Sequence, residues 1–500
     1  MLDEEAKGTS VEKASVSYTE DAVDSSKYVE MQRRHGRVDL VPLPSDSPTD
    51  PLNWPSWKKN VLLLIVAFHA MQGPFSAAII IPAYQEIAAA FGVSLNQVTY
   101  LTSVQILVLG VMPLIWAPIS HRIGRRPVYL ISTLFSAAFA LAGGYCNSYA
   151  ALMATRIVQA IFIAPPQSIG ASSVNEMFFS YQKGQKMGVW ILLVTCGPIL
   201  GPVSAGYLVQ YKGWRTAQYL LAGIHLALFF AHLFFGPETI YPNRQAPGET
   251  TTDVEQVTTM QQYFSFHIYR KERIPLVEFI RPLFMAARPY VLLPALAYSI
   301  TFSYTNVFMT VYVPQLFGEI FHLEAGPISL QFLALLVGAV LGEQCAGYGS
   351  DRFVNWRARK TGGVRVPESR LAIAPIGFCL AIIGLVVWGV QLNNATVGKW
   401  NITPDIGSAI AIFGQQLITT VCVTYAIESS GSEAAQASAF ISLLRQVYAF
   451  TVPFYLPDAI ASIGIAGTSG LCAGLIGLGM LMPMACMVWG ARWRGNSQVI

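Results

Sequence analysis

The chain has 500 residues, 53% of them hydrophobic and 12% charged, with a mean hydropathy of +0.46 and a formal net charge of +4. A soluble core of that size cannot hide so much apolar surface, so the composition describes a membrane protein. No basic face or stacking-aromatic pattern suggests a nucleic-acid partner, and the seven cysteines, all in or at the edge of apolar runs, argue against a disulfide framework.

Residues 1–59 hold 11 acidic and 8 basic residues and no apolar block, which predicts a disordered cytoplasmic tail and no cleavable signal peptide. Beyond it, runs of roughly 20 apolar residues, enough to cross about 30 Å of hydrocarbon, recur at 61–82, 98–119, 128–146, 150–174, 188–209, 215–236, 290–314, 327–348, 371–392, 405–427, 435–456 and 467–490. The fold class expected is therefore all-α: 12 transmembrane helices in two six-helix bundles, 60–236 and 290–490, with a cytoplasmic loop at 237–289 and a short tail at 491–500. Of 32 Lys and Arg, 27 fall in the tails and even-numbered connections, which places both termini in the cytoplasm. The two glycosylation triplets, at Asn394 and Asn401, share a connection that the charge rule puts outside. In the central loop, "RIPLVEFIRPLFMAARP" mixes apolar and basic residues at helical spacing and predicts a helix lying at the membrane interface.

After the second span, "SHRIGRRP" packs Arg122, Arg125 and Arg126 around Gly124. After the eighth, "GYGSDRFVNWRARK" repeats the theme with Asp351 and Arg352. Such a repeat implies two halves built alike. Here the chain resembles the major facilitator superfamily, whose loop between spans two and three reads G-x-L-[AS]-D-R-x-G-R-[RK]; Ala117 and His121 depart from that pattern. The resemblance implies a gating latch, in which these arginines pair with carboxylates at helix ends. Glu176 is the expected partner in the first half, and Glu428 is expected to serve Arg352 in the second.

Further stretches carry the same resemblance. "LMATRIVQ" places Arg156 in span four with the L-x-x-x-R-x-x-Q spacing of the superfamily, which implies a role in proton transfer. "GPILGPVSAG" in span five sets Gly197, Gly201, Pro202 and Gly206 in the pattern that marks proton-coupled antiporters of twelve spans. "DPLNWPSWKKN" and "YAIESSGSEAAQASAFISLLRQ" resemble the fungal drug:proton antiporters, so the likeness runs from residue 50 to about 490.

No G-x-x-x-x-G-K-[ST] phosphate loop is present, leaving an ion gradient as the energy source. Proton coupling needs a group whose protonation burial can tune. Glu343 and His69, with Arg156, are the candidates; His225 and His232 are expected to be structural. The resemblance implies a cavity among spans one, four, seven and ten. Gln72, Gln105, Gln167, Tyr298, Tyr304, Asn306, Tyr312, Gln315, Gln415, Gln416, Tyr425, Arg445 and Tyr448 are among the polar and aromatic residues available to line it, an amide and tyrosine set suited to a mostly apolar ligand. No metal or cofactor is implied, and no reactive pair marks an enzyme. The expected protein is a monomeric exporter of hydrophobic or amphiphilic small molecules, exchanging them for protons across the lipid bilayer, more readily placed in the plasma membrane than in the vacuolar one. The alternative is a proton-coupled importer of a cationic nutrient such as a polyamine.

Overall fold

A computed structural model of the protein describes residues 42–45, 47–241, 274–360 and 367–497. The chain falls into two units, Met1–Pro44 and Ser45–Ile500. Only residues 42–44 of the first are described, and the architecture below is that of the second.

Among the described residues, eleven helices are long and apolar enough to cross a membrane. They are α1 (Ser56–Phe91), α2 (Leu95–Ile123), α3 (Arg125–Gly144), α4 (Tyr149–Met177), α5 (Tyr181–Lys212), α6 (Arg215–Phe235), α7 (Pro289–Phe321), α8 (Ala325–Val354), α9 (Glu368–Asn393), α10 (Thr403–Ser429) and α11 (Ala434–Gly495). The last is interrupted at Gly464, whose φ of 74° and ψ of 173° leave the helical region, so two helical segments meet at a single residue. Gly124, at φ 98°, makes a similar one-residue link between α2 and α3.

Several helices bend where the sequence removes a backbone donor. α1 stops its α-helical course at Ala78 and resumes at Tyr84 through a 3-10 turn containing Pro82. α4 is broken between Ile163 and Pro166. α7 carries a π-helical turn at Ser303–Val307, a register shift that often marks functional stretches.

The start of the unit is more ordered than the expected tail. Asp50 caps a 3-10 turn at Pro51–Asn53, Leu52 and Trp54 are buried, and Lys59 donates to the Leu52 carbonyl at 2.6 Å. An aspartate cap, a proline behind it and two large apolar side chains give this stretch enough local and tertiary contact to fold. In the central connection, Val277–Ile280 is α-helical and Arg281–Ala287 continues as 3-10 helix; Pro282 and Met285 are buried while Leu276, Val277, Ile280, Leu283 and Phe284 are exposed. The rest of that connection, 242–273, lies outside the described residues, as do 361–366.

Candidate functional site

The charged end of the bundle is built from α3, α4 and the turn after α6. Arg125 opens α3 and is almost fully buried. Its Nε donates to Glu176 Oε2 at 2.8 Å and its Nη2 to Oε1 at 2.5 Å, a two-pronged pair at the end of α4. Thr239 Oγ1 donates to the same Glu176 Oε2 at 2.8 Å. Arg126 turns the other way: Nε reaches the Gly236 carbonyl at 2.7 Å and Nη2 the Leu233 carbonyl at 2.8 Å. A cation thus closes the carbonyl end of α6. Glu238 returns the arrangement, accepting the Arg126 backbone N–H at 3.0 Å at the start of α3. Burial pushes the Glu238 carboxyl above its ordinary value, opposed by the backbone N–H groups of Ile240, Arg126 and Arg125. Arg122 is only half-buried, two residues before the Gly124 link.

The second half answers with a different residue from the one expected. Glu428, at the end of α10, pairs with Arg370 at 3.0 Å, and Arg370 Nη1 also reaches Ser350 Oγ at 2.9 Å. Arg370 opens α9 as Arg125 opens α3, so it is the positional counterpart. Arg352 is exposed on α8, and the Asp351 side chain lies outside the described residues. Tyr425, fully buried, sits where a methyl group on Gly490 would collide with its hydroxyl and with Glu368. The sequence signal for Arg370 was a lone arginine just ahead of the ninth apolar run; Glu238 followed the sixth.

Arg156 is buried and clamps three helices. Nη2 donates to Gln105 Oε1 at 2.6 Å and to the Ser76 and Ala77 carbonyls at 3.1 Å each, while Nε reaches the Leu101 carbonyl at 3.4 Å. Because α1 breaks after Ala78, the carbonyls of Ser76 and Ala77 sit at a helix C-terminus, where a cation is welcome. Gln105 Nε2 completes the cluster by donating to the Arg156 carbonyl and to Gln159 Oε1. Arg156 is thus held by amide and backbone oxygens.

His69 packs into the first half between α1, α3 and α6. Ser132 Oγ donates to the Phe162 carbonyl and so accepts from His69 Nε2–H at 3.2 Å. His69 Nδ1 is then bare, and it accepts from His232 Nε2–H at 3.1 Å. Tyr129 stacks on His232 with centroids 4.8 Å apart. The sequence put His69 on a cavity-lining helix and His232 in packing; the structure hydrogen-bonds the two in one buried chain.

Glu343 stands on α8 against α10. Gln416 Nε2 donates to its Oε2 at 3.1 Å and Thr420 Oγ1 to the same oxygen at 3.2 Å. Gln415 Nε2 donates to Gln416 Oε1 at 3.0 Å and to Thr419 Oγ1 at 2.9 Å, extending the polar row along α10. A carboxylate held by neutral donors at membrane depth can change protonation without breaking an ion pair. The other cavity candidates divide into several groups. Tyr304, in the π-helical turn with buried Asn306, bonds the hydroxyls of Tyr448 and Tyr455 at 3.0 and 3.1 Å. The Arg445 guanidinium lies 4.5 Å from the Phe302 ring centre. Gln167 Nε2 is committed to the Ala70 carbonyl at 2.7 Å, and Gln72 is fully buried with neither amide atom hydrogen-bonded.

The small residues of α5 work as contact surfaces. A methyl group on Gly197 would lie 2.7 Å from the Met71 carbonyl oxygen of α1, and one on Gly201 2.7 Å from that of Phe75. Gly206 faces Ser329 and the Ala325 carbonyl of α8 instead, and Pro202 lies inside the helix. Asn394 and Asn401 are both exposed in the α9–α10 connection.

Apolar helices broken at prolines, close helix seams through glycine, and an arginine and a carboxylate held within apolar helices mark a multi-pass helical membrane protein. The chain belongs to the Major Facilitator Superfamily, whose model matches residues 66–453. It is therefore a membrane transporter by family and not an enzyme. It is 28% identical over 454 residues to the MFS-type transporter penM of Penicillium rubens, covering 90% of this chain and 88% of that one. It is 27% identical over 465 residues to the efflux pump vrtL of Penicillium aethiopicum, covering 90% and 89%. Among solved structures, the xylose transporter XylE from E. coli superposes with a TM-score of 0.62 at 13% identity, over 85% of this chain and 97% of that one. The human organic anion transporter MFSD10 superposes with a TM-score of 0.55 at 13% identity, over 86% and 100%.

Proposed function

We propose that this transporter exports hydrophobic or amphiphilic small molecules in exchange for protons, with Glu343 as the group that takes up and releases the proton. The observation that carries the reading is the Glu343 carboxylate, held among the described residues by the amide of Gln416 and the hydroxyl of Thr420. Losing or gaining a proton there changes the charge of the path between α8 and α10 while its two donors stay in place. The relatedness to a named efflux pump supports the outward direction.

In this reading the break at Gly464 divides α11 into two crossings, giving twelve spans with both termini on the cytoplasmic, arginine-rich side. Residues 60–236 and 290–490 are the two halves that rock about the central path. Arg122, Arg125, Arg126 and Glu176, with Arg370 and Glu428, set the energy of the cytoplasmic end in each state. The Arg370–Glu428 pair, whose carboxylate solvent reaches, is worth little on its own and can exchange at modest cost, whereas the buried Arg125–Glu176 pair costs more to part. One chain suffices, and the plasma membrane is the proposed location.

The test follows accumulation of lipophilic compounds in cells with and without the protein, before and after a protonophore. Expression should lower accumulation only while the gradient stands. Glu343→Gln should flatten the dependence of transport on pH at matched surface levels; an unchanged pH profile removes Glu343 from the coupling.

A further inference from the structure

At the end of the bundle away from the arginine cluster, the last turns of α1 and α5 meet α7 and the first turn of α8 around a cavity of about 480 Å³. That volume lies in the range of small-molecule sites. The walls come from both halves of the chain and are tied across: Gln210 donates to Glu324, and its Oε1 accepts the Gly326 N–H at 2.9 Å. Ile81, Val209 and Ile328 supply apolar wall.

Two carboxylates, Glu86 and Glu324, line the cavity, and no Lys or Arg is among the lining residues. Glu86 Oε1 accepts the Trp214 backbone N–H at 3.1 Å, which fixes that carboxylate at the rim. Gln315 also lines the cavity, is 8% exposed, and its Nε2 has no hydrogen-bond partner. A buried amide donor in that position calls for an acceptor. The apolar wall beside the two carboxylates suits an organic cation, and among the described residues no cluster of three or more His, Cys, Asp or Glu could hold a metal ion.

We propose that this cavity is a second binding site, separate from Glu343, for a small organic cation that combines an ammonium group, an apolar body and a hydrogen-bond acceptor such as an ester carbonyl. The ammonium lies toward Glu86 and Glu324, the acceptor toward Gln315 Nε2, and the apolar body against the isoleucines and the valine. Because both halves form the walls, an occupant wedges this end and slows transport. The binding site stands on the geometry alone; the block of transport rests on the rocking mechanism proposed above.

The experiment uses the full chain, purified and placed in lipid nanodiscs, with two probes that share an aromatic ester. Procaine carries a tertiary ammonium, and benzocaine has none. Equilibrium dialysis with radiolabelled probe should show procaine binding at least about tenfold tighter than benzocaine, with the difference shrinking as salt screens the two exposed carboxylates. Glu86→Gln with Glu324→Gln should weaken procaine about tenfold and leave benzocaine unchanged. Glu324→Gln alone, which leaves the Glu86 contact to Trp214 in place, should weaken it a few-fold and guards against misfolding of the double variant. Gln315→Leu should weaken both esters alike. Glu343→Gln should leave procaine affinity at the wild-type value. Equal binding of the two probes, or loss of procaine binding in Glu343→Gln but not in the Glu86 and Glu324 variants, overturns the site. Procaine that binds as described but leaves transport at its full rate keeps the site and overturns the wedge.

Discussion

Replacing Glu176 by Gln removes one charge from the Arg125 pair while preserving an oxygen of the same shape. Arg125 is 2% exposed, and its Nη1 already has no hydrogen-bond partner, so the guanidinium depends on this carboxylate for compensation. Breaking a buried pair by removing one partner costs about 3–5 kcal/mol. The Glu176 side chain is 23% exposed, and that access to solvent puts the expected loss near the lower bound, about 3 kcal/mol. For a cooperative unit of 150–250 residues, such a loss lowers the melting temperature by about 6–12 °C. The pair lies wholly within α3 and α4, so melting of the purified protein, followed by fluorescence in detergent, should report it directly. The double variant Arg125→Met with Glu176→Gln removes the buried charge as well and should melt above the Glu176→Gln single variant. A double variant whose loss equals the sum of the two single losses would falsify the claim that the two side chains stabilise each other.

Other substitutions follow from the same geometry. Gly197→Ala puts a methyl group 2.7 Å from the Met71 carbonyl oxygen, and the forced separation of α5 from α1 should cost about 1–3 kcal/mol, read as a lower melting temperature. Arg156→Lys keeps the charge but cannot span the oxygens of Ser76, Ala77 and Gln105 together; transport should fall severalfold at matched expression, and full activity would reduce Arg156 to a simple cation. If the α9–α10 connection is extracellular, Asn394→Gln with Asn401→Gln should abolish any glycosidase-sensitive shift in gel mobility, and a shift that persists points to a different acceptor.

The helices were legible because each is an uninterrupted apolar run, and composition alone decides where such a run can reside. Their interruptions were less so. The sequence suggests a connection of about ten residues between the last two spans, whereas the helical course is interrupted at the single residue Gly464. The arginine cluster is visible in the sequence as a cluster, and in the structure Arg125 meets Glu176. What spacing could not reveal was the division of labour inside it: Arg125 binds a side chain, while Arg126 binds carbonyls 107 and 110 positions away. The His69–His232 bond spans 163 positions and depends on α1, α3 and α6 coming together, which no local pattern encodes. The repeated basic loop points from Arg352 to Glu428, but it is Arg370, on the helix packed beside α10, that makes the contact.

The exchange between Arg126 and Glu238 has a mechanical consequence. Each residue closes the end of the other's helix, so α3 and α6 are fastened at the arginine-rich end into one stiff plate. Leu134, Phe135 and Leu141 on one helix and Leu226, Phe230 and Phe234 on the other are exposed along that plate, an apolar surface suited to acyl chains. A plate that does not shear moves only as a whole. In the rocking cycle proposed above, the work of tilting that plate falls on the surrounding lipid, and bilayer stiffness becomes part of the energy profile.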